Sequence, residues 1–230
     1  MMLRIFCLVC CFFFTASLYA EDAPIALEKA PIHTHDIDSI KRGAKFFATN
    51  CMVCHTLVYL RYNKLAHDAG ITYEKMPINV QKWPFDIRPP DLSLEASYRG
   101  ADWIYTYLHS FYQDTTRPTG VNNLLVTNTV MPGIIVPYQG LQTKAKDLDA
   151  SKKIFDHEEE WYDVLQEQQQ GSMTEEQFDA TITDVVNFLV YAAEPYKNDQ
   201  ERIGLWVIGF LILLFVLTLL LKKTYWKKIK

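Results

Sequence analysis

The run CMVCH at residues 51–55 combines two thiols and an imidazole in one short stretch. Thiols spaced like Cys51 and Cys54 can each add across a vinyl group of one porphyrin, and the adjoining His55 can then ligate the iron. This spacing is the attachment signature of c-type haem. A Cys-x-x-Cys pair also occurs in thiol redox proteins and forms half of many zinc sites, so the rest of the sequence has to discriminate between them.

The cysteine count weighs against those two alternatives. Of the five cysteines, Cys7, Cys10 and Cys11 lie in an apolar N-terminal stretch, which leaves Cys51 and Cys54 beyond it. A structural zinc site needs four N or S ligands and would here need a distant histidine. A thioredoxin-like thiol pair follows a strand, whereas the pattern before this motif predicts a helix. A disulfide across so short a loop would stabilise little. We therefore expect one covalently attached haem c.

The N-terminus predicts export. Residues 1–20 read as a signal peptide, with Arg4 as the positive end, an apolar core, and Ala20 as a small residue before cleavage. Leu18 fits the cleavage pattern poorly, so an uncleaved anchor is the alternative. Either version exports the following segment to a compartment where c-type haem is attached.

The C-terminus predicts a membrane anchor. Residues 203–221 contain no charge and would form a helix about 28 Å long, close to the hydrocarbon thickness of a bilayer. The tail at 222–230 carries five lysines and no acid, which places it in the cytoplasm. Residues 21–202 then form a periplasmic domain on a single-pass inner-membrane protein, or face the equivalent intermembrane space.

The exported segment is strongly acidic. Residues 21–202 carry all 27 acidic residues and 17 of the 23 basic ones, a net charge of −10. Such a domain would repel nucleic acid and attract basic partners in a salt-dependent way, although the charge also serves plain solubility.

Helical spacing predicts the elements that position the motif. A helix capped by Asp38 or Ser39 should deliver the chain to Cys51, and a weaker helical stripe over 58–65 should follow it. The proline-rich segment 83–90 should be loop. A second helix, capped within 91–93, should run through residues 103–111.

The remaining segments are less regular. Residues 121–140 read as an extended lid, and 144–170 as a solvated excursion with one helix around Trp161 and Leu165. A capping box at Thr174 predicts a third helix, which Glu194-Pro195 should end or kink before the membrane.

The sixth iron ligand is narrowed to three methionines, Met76, Met131 and Met173. Met76 and Met131 are each followed by a proline that stiffens the loop, and the more apolar surroundings of Met131 favour it slightly. The other histidines (His33, His35, His67, His109 and His157) are expected to be ordinary surface residues. Arginines Arg88, Arg99 and Arg117 flank turns, and nothing in their spacing singles one out for the haem propionates.

Beyond these patterns, several ordered stretches resemble the cytochrome c1 family in its proteobacterial form, over most of the exported chain. They are SIKRGA at 39–44, YLRYN at 59–63, RPPDLS at 88–93, RGADWIYTYL at 99–108, RPTG at 117–120 and YAAEP at 191–195. The stretch at 144–170 matches the family less well, and the family often shows another Met or Phe upstream of its axial methionine.

The resemblance implies a mainly α fold, a class I cytochrome c-like haem domain with insertions plus one C-terminal transmembrane helix. It implies that Met131 is the axial methionine, that Arg99 lies near a haem propionate, and that the loop containing Pro90 packs against the haem. It also implies the electron-transfer subunit of the cytochrome bc1 complex, a ubiquinol–cytochrome c reductase. Cytochrome b and a Rieske iron–sulfur protein would then be its partners, and a soluble or tethered cytochrome c its acceptor.

Two other functions stay open at this point. An anchored monohaem cytochrome c of a terminal oxidase would share the motif and the span but lack the RPPDLS and Arg99 pattern. A periplasmic thiol oxidoreductase would share only the thiol pair.

Overall fold

The computed structural model describes residues 25–83, 87–144 and 165–227 of the chain. The predicted signal peptide at 1–20 and the predicted helix around Trp161 lie outside the described residues. In the described part, the α-helices are α1 (Ile37–Phe46), α2 (Lys64–Asp68), α3 (Glu95–Arg99), α4 (Ala101–His109), α5 (Val136–Gln139), α6 (Glu175–Ala193) and α7 (Lys197–Trp226). The strands are β1 (Phe111–Gln113), β2 (Val121–Asn123), β3 (Gly140–Lys144) and β4 (Leu165–Gln170). The predicted mainly α fold is confirmed.

Helix α1 leads directly into the cysteine motif. Its N-cap is Asp36, whose carboxylate accepts hydrogen bonds from the backbone N–H groups of Asp38 and Ser39, so the prediction of Asp38 or Ser39 as the cap was displaced by two or three residues. After Phe46 the helix widens into a π-helical turn over Phe47–Cys51. This turn places the motif at the C-terminal end of the helix, as the sequence predicted.

Helices α1 and α6 form the centre of the core. The capping box predicted at Thr174 is present, with Gln177 as its partner, and α6 ends at Ala193 as Glu194-Pro195 predicted. Gly43 lets the two backbones approach closely, because a Cβ at this position would clash with the carbonyl group of Asp184. The close packing of these two helices fixes the position of the segment that leads into the cysteine motif.

Polar contacts lock the same pair. The guanidinium of Arg42 donates to both carboxylate oxygens of Asp184, at 2.6 and 2.8 Å. The Asn187 side-chain amide donates to the Ser39 hydroxyl at 2.7 Å, and its oxygen accepts from the His33 N–H at 2.9 Å. Because α1 and α6 are joined by hydrogen bonds at two positions along their contact, the helices have little freedom to slide along each other.

The chain after the motif is more broken than its spacing predicted. Instead of one stripe over 58–65, a 3₁₀ turn at Val58–Leu60 is followed by α2, which Asn63 caps through its side-chain oxygen. A second 3₁₀ turn covers Tyr73–Lys75. Of the loop at 83–90, the described residues are irregular, as expected.

The predicted second helix is two helices. Gly100 has a φ of +89°, which breaks the chain between α3 and α4, and α4 ends at His109 so that Phe111 begins β1. Asp91 was wrongly predicted as part of a helix cap, because α3 starts after Leu94 and has no side-chain cap.

Two small antiparallel sheets complete the domain. Strands β1 and β2 pair within the stretch 111–123, and β3 pairs with β4 across the excursion. The helix predicted around Leu165 was therefore wrong at that residue, which starts β4 and is buried while the rest of the strand is exposed. The predicted lid at 121–140 contains β2 and the short α5.

Helix α7 carries the predicted span. Of the described residues, this is the one helix long and apolar enough to cross a membrane, and all of it is exposed or partly exposed on the protein surface. The uncharged run 203–221 lies inside its 30 residues. The helix fits a single-pass anchor.

Candidate functional site

An apolar cleft of about 320 Å³ opens between α1, α4, α6, Trp83 and the loops at 87–92 and 126–135. All six residues singled out from the sequence line it: Cys51, Cys54, His55, Pro90, Arg99 and Met131. Cys51 and Met131, which are 80 residues apart in the chain, are therefore brought to one cavity.

The motif folds as a tight turn on the wall of this cleft. The N–H groups of Cys54 and His55 both donate to the Cys51 carbonyl, at 3.0 and 2.8 Å. Burial raises the pKa of the Cys51 thiol to about 12, with a further contribution from Cys54. Cys51 is therefore a neutral thiol at physiological pH, held beside Cys54 and facing the cavity.

His55 is oriented by the chain opposite. Its Nδ1 lies 2.9 Å from the Pro90 carbonyl oxygen. Because a carbonyl only accepts, Nδ1 carries the proton and Nε2 keeps its lone pair for a ligand. Burial lowers the pKa of His55, against the opposing effect of that hydrogen bond, so the imidazole is neutral. The ring is thus prepared to ligate a metal through Nε2.

Asp91 holds the Pro90 loop in place, a role that the sequence did not indicate. Its carboxylate accepts from the Thr56 hydroxyl at 2.6 Å and from the N–H groups of Val58 and Ser93 at 3.0 and 2.9 Å. Burial alone would raise the pKa of Asp91, but these hydrogen bonds outweigh it and lower the pKa. The ionised carboxylate ties the segments on either side of His55 together.

Met131 belongs to a short loop and lines the cleft. Its side chain is partly buried, and the Tyr107 hydroxyl donates to its sulfur at 3.5 Å. Of the alternatives, Met76 is 5% exposed and belongs to the core, and the sulfur of Met173 lies 3.6 Å from the Thr181 hydroxyl. Among the described methionines, Met131 is the one that lines the cleft.

Polar groups that can bind an anionic ligand line the cavity. Arg99 donates to Glu95 through Nε at 2.6 Å, and its guanidinium stacks over the Trp103 ring at 4.3 Å. Among the described residues, its two terminal nitrogens have no hydrogen-bond partner. The indole N–H of Trp83 is buried without a hydrogen-bond partner among the described residues. Sequence spacing could not have found Trp83, because its isolation is a property of the folded loop.

The other predicted polar residues lie elsewhere or differ from expectation. Arg117 donates to the side chain and carbonyl of Asn128, so it braces a turn rather than the cleft. Arg88 lines the cavity and donates to the Ile78 carbonyl. His109, expected at the surface, is fully buried and bonds the Tyr105 carbonyl and the Asp179 carboxylate.

These residues fit a haem c. The cavity is apolar, as a porphyrin face requires, and it presents two neighbouring thiols, a neutral imidazole, a thioether and unused cationic or N–H donors. The donor chemistry fits zinc poorly, since among the described residues no group of three or more His, Cys, Asp and Glu could hold a metal ion. The motif also follows a helix rather than a strand, unlike a thioredoxin-type pair.

Comparisons with known proteins agree with this cofactor. A family model described as the Cytochrome C1 family matches residues 27–86 and 79–229. Cytochrome c1 of Allochromatium vinosum is 38% identical, with 93% of each chain covered. A protein of Nitrosomonas europaea named ammonia monooxygenase gamma subunit is 34% identical, with 92% of each covered. Cytochrome b/c1 of Bradyrhizobium diazoefficiens is 26% identical over 85% of this chain and 34% of its own length.

Proposed function

The chain belongs to the cytochrome c1 family, and on that premise we propose that its exported domain passes single electrons from a Rieske iron–sulfur protein to a cytochrome c. It is a haem c cytochrome of a bc1 complex, a component of an oxidoreductase in which this chain only transfers electrons. The observation that carries the proposal is the single cleft shared by the cysteine motif, Met131 and Arg99.

The chain's own residues divide the work of holding the cofactor. Haem c, when bound, supplies an iron that takes up and releases one electron. Cys51 and Cys54 would hold the porphyrin covalently, His55 would ligate the iron through Nε2, and Met131 would ligate it through its thioether. A histidine and methionine ligand pair would raise the reduction potential toward values suited to a cytochrome c acceptor.

The edge of the cleft neutralises the propionates. Arg99 offers its terminal guanidinium nitrogens and Trp83 its unpartnered indole N–H, while Pro90 orients His55 and packs against the porphyrin. A guanidinium and a neutral N–H donor would both favour the ionised form of a carboxylate beside them. The apolar lining keeps water from the remainder of the ring.

The proposed topology is supported by the sequence patterns near the two ends of the chain. The signal at 1–20 exports the domain at 21–202, α7 anchors it in the inner membrane, and the lysine tail at 222–230 stays in the cytoplasm. The exported domain, with its net charge of −10, attracts a basic acceptor. Electrons therefore move on the periplasmic side.

Cytochrome b is the proposed membrane partner, supported by the relative that is named cytochrome b/c1. A relative named as an ammonia monooxygenase subunit is 34% identical, with 92% of each chain covered, so the partners of this chain are best identified by direct purification.

Purification of the intact membrane complex decides the context. We expect a haem stain that survives denaturing electrophoresis at this chain, with cytochrome b and a Rieske protein in the same particle. Co-purification with a monooxygenase or a terminal oxidase instead would contradict the assignment to the bc1 route. A correctly matured chain without covalent haem would contradict the cytochrome itself.

Met131→Ala tests the sixth ligand. Replacing a thioether that favours ferrous iron should lower the reduction potential sharply and abolish the methionine–iron absorption band, with the haem still attached. Met173→Ala is the matched control, because that methionine is partly buried but outside the cleft. An unchanged potential in Met131→Ala would assign the ligand to another residue.

A further inference from the structure

The Met131 loop is closed by a ring of hydrogen bonds that includes its own thioether. The Met131 N–H donates to Thr129 Oγ1 at 3.3 Å, and the Tyr107 hydroxyl lies 3.1 Å from the same Thr129 oxygen. The Tyr107 hydroxyl also lies 3.5 Å from Met131 Sδ. Backbone and side chain of one residue are thus joined through two hydroxyl groups.

The chemistry of the three groups fixes the direction of each bond. A thioether sulfur only accepts, so the Tyr107 proton points to Met131 Sδ. The contact between the two hydroxyls must then use the Thr129 proton, while the Thr129 oxygen accepts from the Met131 N–H. Each hydroxyl donates once within the ring, and every bond has a donor and an acceptor.

Tyr107 is held firmly enough to act as a fixed donor. Its ring stacks on Trp103 at a centroid distance of 5.0 Å and an interplanar angle of 11°, and it meets the Phe111 ring edge-on at 5.1 Å. Its carbonyl accepts from the Asn123 side chain at 2.8 Å. Thr129 is 6% exposed, so water competes little for the hydroxyl ring.

We propose that Tyr107 is a positioning residue that, together with Thr129, holds the Met131 thioether at the iron face of the cleft and raises the reduction potential of the haem. The inference rests on the proposed function, in which Met131 is the sixth ligand. A thioether has one lone pair for the metal and a second that can accept a hydrogen bond. The positive end of the Tyr107 O–H dipole then lies beside the ligand and opposes the additional charge of the ferric state.

The test uses the full-length membrane protein with its covalent haem and a redox titration of each variant. Tyr107→Phe keeps the stacked ring and removes the donor. At the wild-type midpoint its ratio of ferrous to ferric haem should fall about fivefold, which corresponds to about 40 mV. The methionine–iron absorption band should persist, because the ligand itself is unchanged.

Two further variants separate the hydrogen-bond ring from general packing. Thr129→Val should shift the potential in the same direction but less, because Tyr107 loses the partner that orients it, and Thr129→Ser should restore the wild-type value. Tyr105→Phe is the matched control, since Tyr105 is a buried tyrosine on the same helix. Its hydroxyl bonds Thr183 rather than Met131. The potential of this variant should equal that of the wild type.

The outcomes distinguish this inference from the proposed function. If Met131→Ala abolishes the methionine–iron band while Tyr107→Phe leaves the potential unchanged, Met131 is the ligand and the positioning role is overturned. Equal shifts in Tyr107→Phe and Tyr105→Phe would also overturn it, since both would then reflect packing. If Met131→Ala leaves the band intact, the sixth-ligand assignment itself has failed.

Discussion

Truncation of Asp91 tests whether a carboxylate 36 residues after His55 keeps that ligand in place. In the folded chain Asp91 accepts three hydrogen bonds, from Thr56, Val58 and Ser93. Ser93 is fully buried and Thr56 is 8% exposed, so water cannot replace all of the lost partners in Asp91→Ala. With about 1 kcal/mol for each bond, the free energy of unfolding should fall by about 3 kcal/mol.

The effect should reach the haem as well as the fold. For a chain of this size a loss of about 3 kcal/mol lowers the melting temperature by about 6–12 °C. The Pro90 carbonyl also loses its fixed position beside His55 Nδ1, so the imidazole becomes a weaker donor to iron. A weaker donor favours ferrous iron, and the reduction potential should therefore rise.

The assay follows thermal unfolding by circular dichroism and by haem absorbance, with a redox titration of the same samples. Asp114→Ala is the matched control, because Asp114 also accepts three hydrogen bonds, two from Thr116 and one from Asn122, in an exposed turn outside the cleft. We expect the control to leave the haem potential unchanged. An Asp91→Ala protein with the wild-type potential and melting temperature would refute the idea that this carboxylate anchors the ligand loop.

Three further predictions concern the helix pair, the cleft edge and acid stability. Gly43→Ala should destabilise the domain by about 3 kcal/mol, because the new methyl group meets the Asp184 backbone, and an unchanged chemical denaturation midpoint would contradict that contact. Trp83→Phe should lower the potential by about 20–40 mV in a redox titration by removing an N–H from a propionate, and no shift would mean that the indole faces another group. The hydrogen bond from the Ser39 N–H lowers the pKa of Asp36 in the folded chain. The stability that the ionised Asp36 cap contributes is therefore complete above the ordinary carboxyl pKa, and it is lost as the pH falls through the lowered pKa of the folded state. Asp36→Asn should therefore match the wild type in melting temperature at neutral pH and lose less of it in acid, whereas equal losses would contradict the charge-assisted cap.

The features predicted well from the sequence are those written in contiguous residues. The haem motif, the capping box at Thr174 and the uncharged run at 203–221 each carry their physical cause within a few turns of chain. A capping box needs only four residues, and a membrane span needs only length and apolarity. No tertiary information is required for any of the three.

The features predicted poorly depend on contacts between distant segments. Asp91 is a residue type that often caps helices, but its carboxylate accepts hydrogen bonds from Thr56 and Val58, more than 30 residues away in the chain. Leu165 carries a helical context in sequence, yet pairing with β3 draws it into a strand. His109 is polar and was expected at the surface, but the Tyr105 carbonyl and Asp179 satisfy it in the core. In each case, the residue that determines the outcome is too distant in the sequence for a local pattern to indicate it.

The choice among the candidate methionine ligands depends on both the local sequence and the folded structure. Local chemistry left Met76 and Met131 nearly equal, since each precedes a proline in an irregular segment. Folding separates them, because Met76 is buried with the core and Met131 faces the cleft. Resemblance to the family had already favoured Met131, and the geometry supplies an independent reason for the same residue.

The two proposed ligands are held by opposite kinds of hydrogen bond from separately anchored segments. The Pro90 carbonyl accepts from His55 and would increase electron donation to a bound iron, whereas the Tyr107 hydroxyl donates to Met131 and would decrease it. Asp91 anchors the first contact and the Thr129 hydroxyl anchors the second. Because the two anchors share no hydrogen-bond partner, their effects on the potential should add, one raising it when lost and the other lowering it. In the proposed site, the reduction potential would therefore be adjustable through the contact to His55 or the contact to Met131 without changing a ligand.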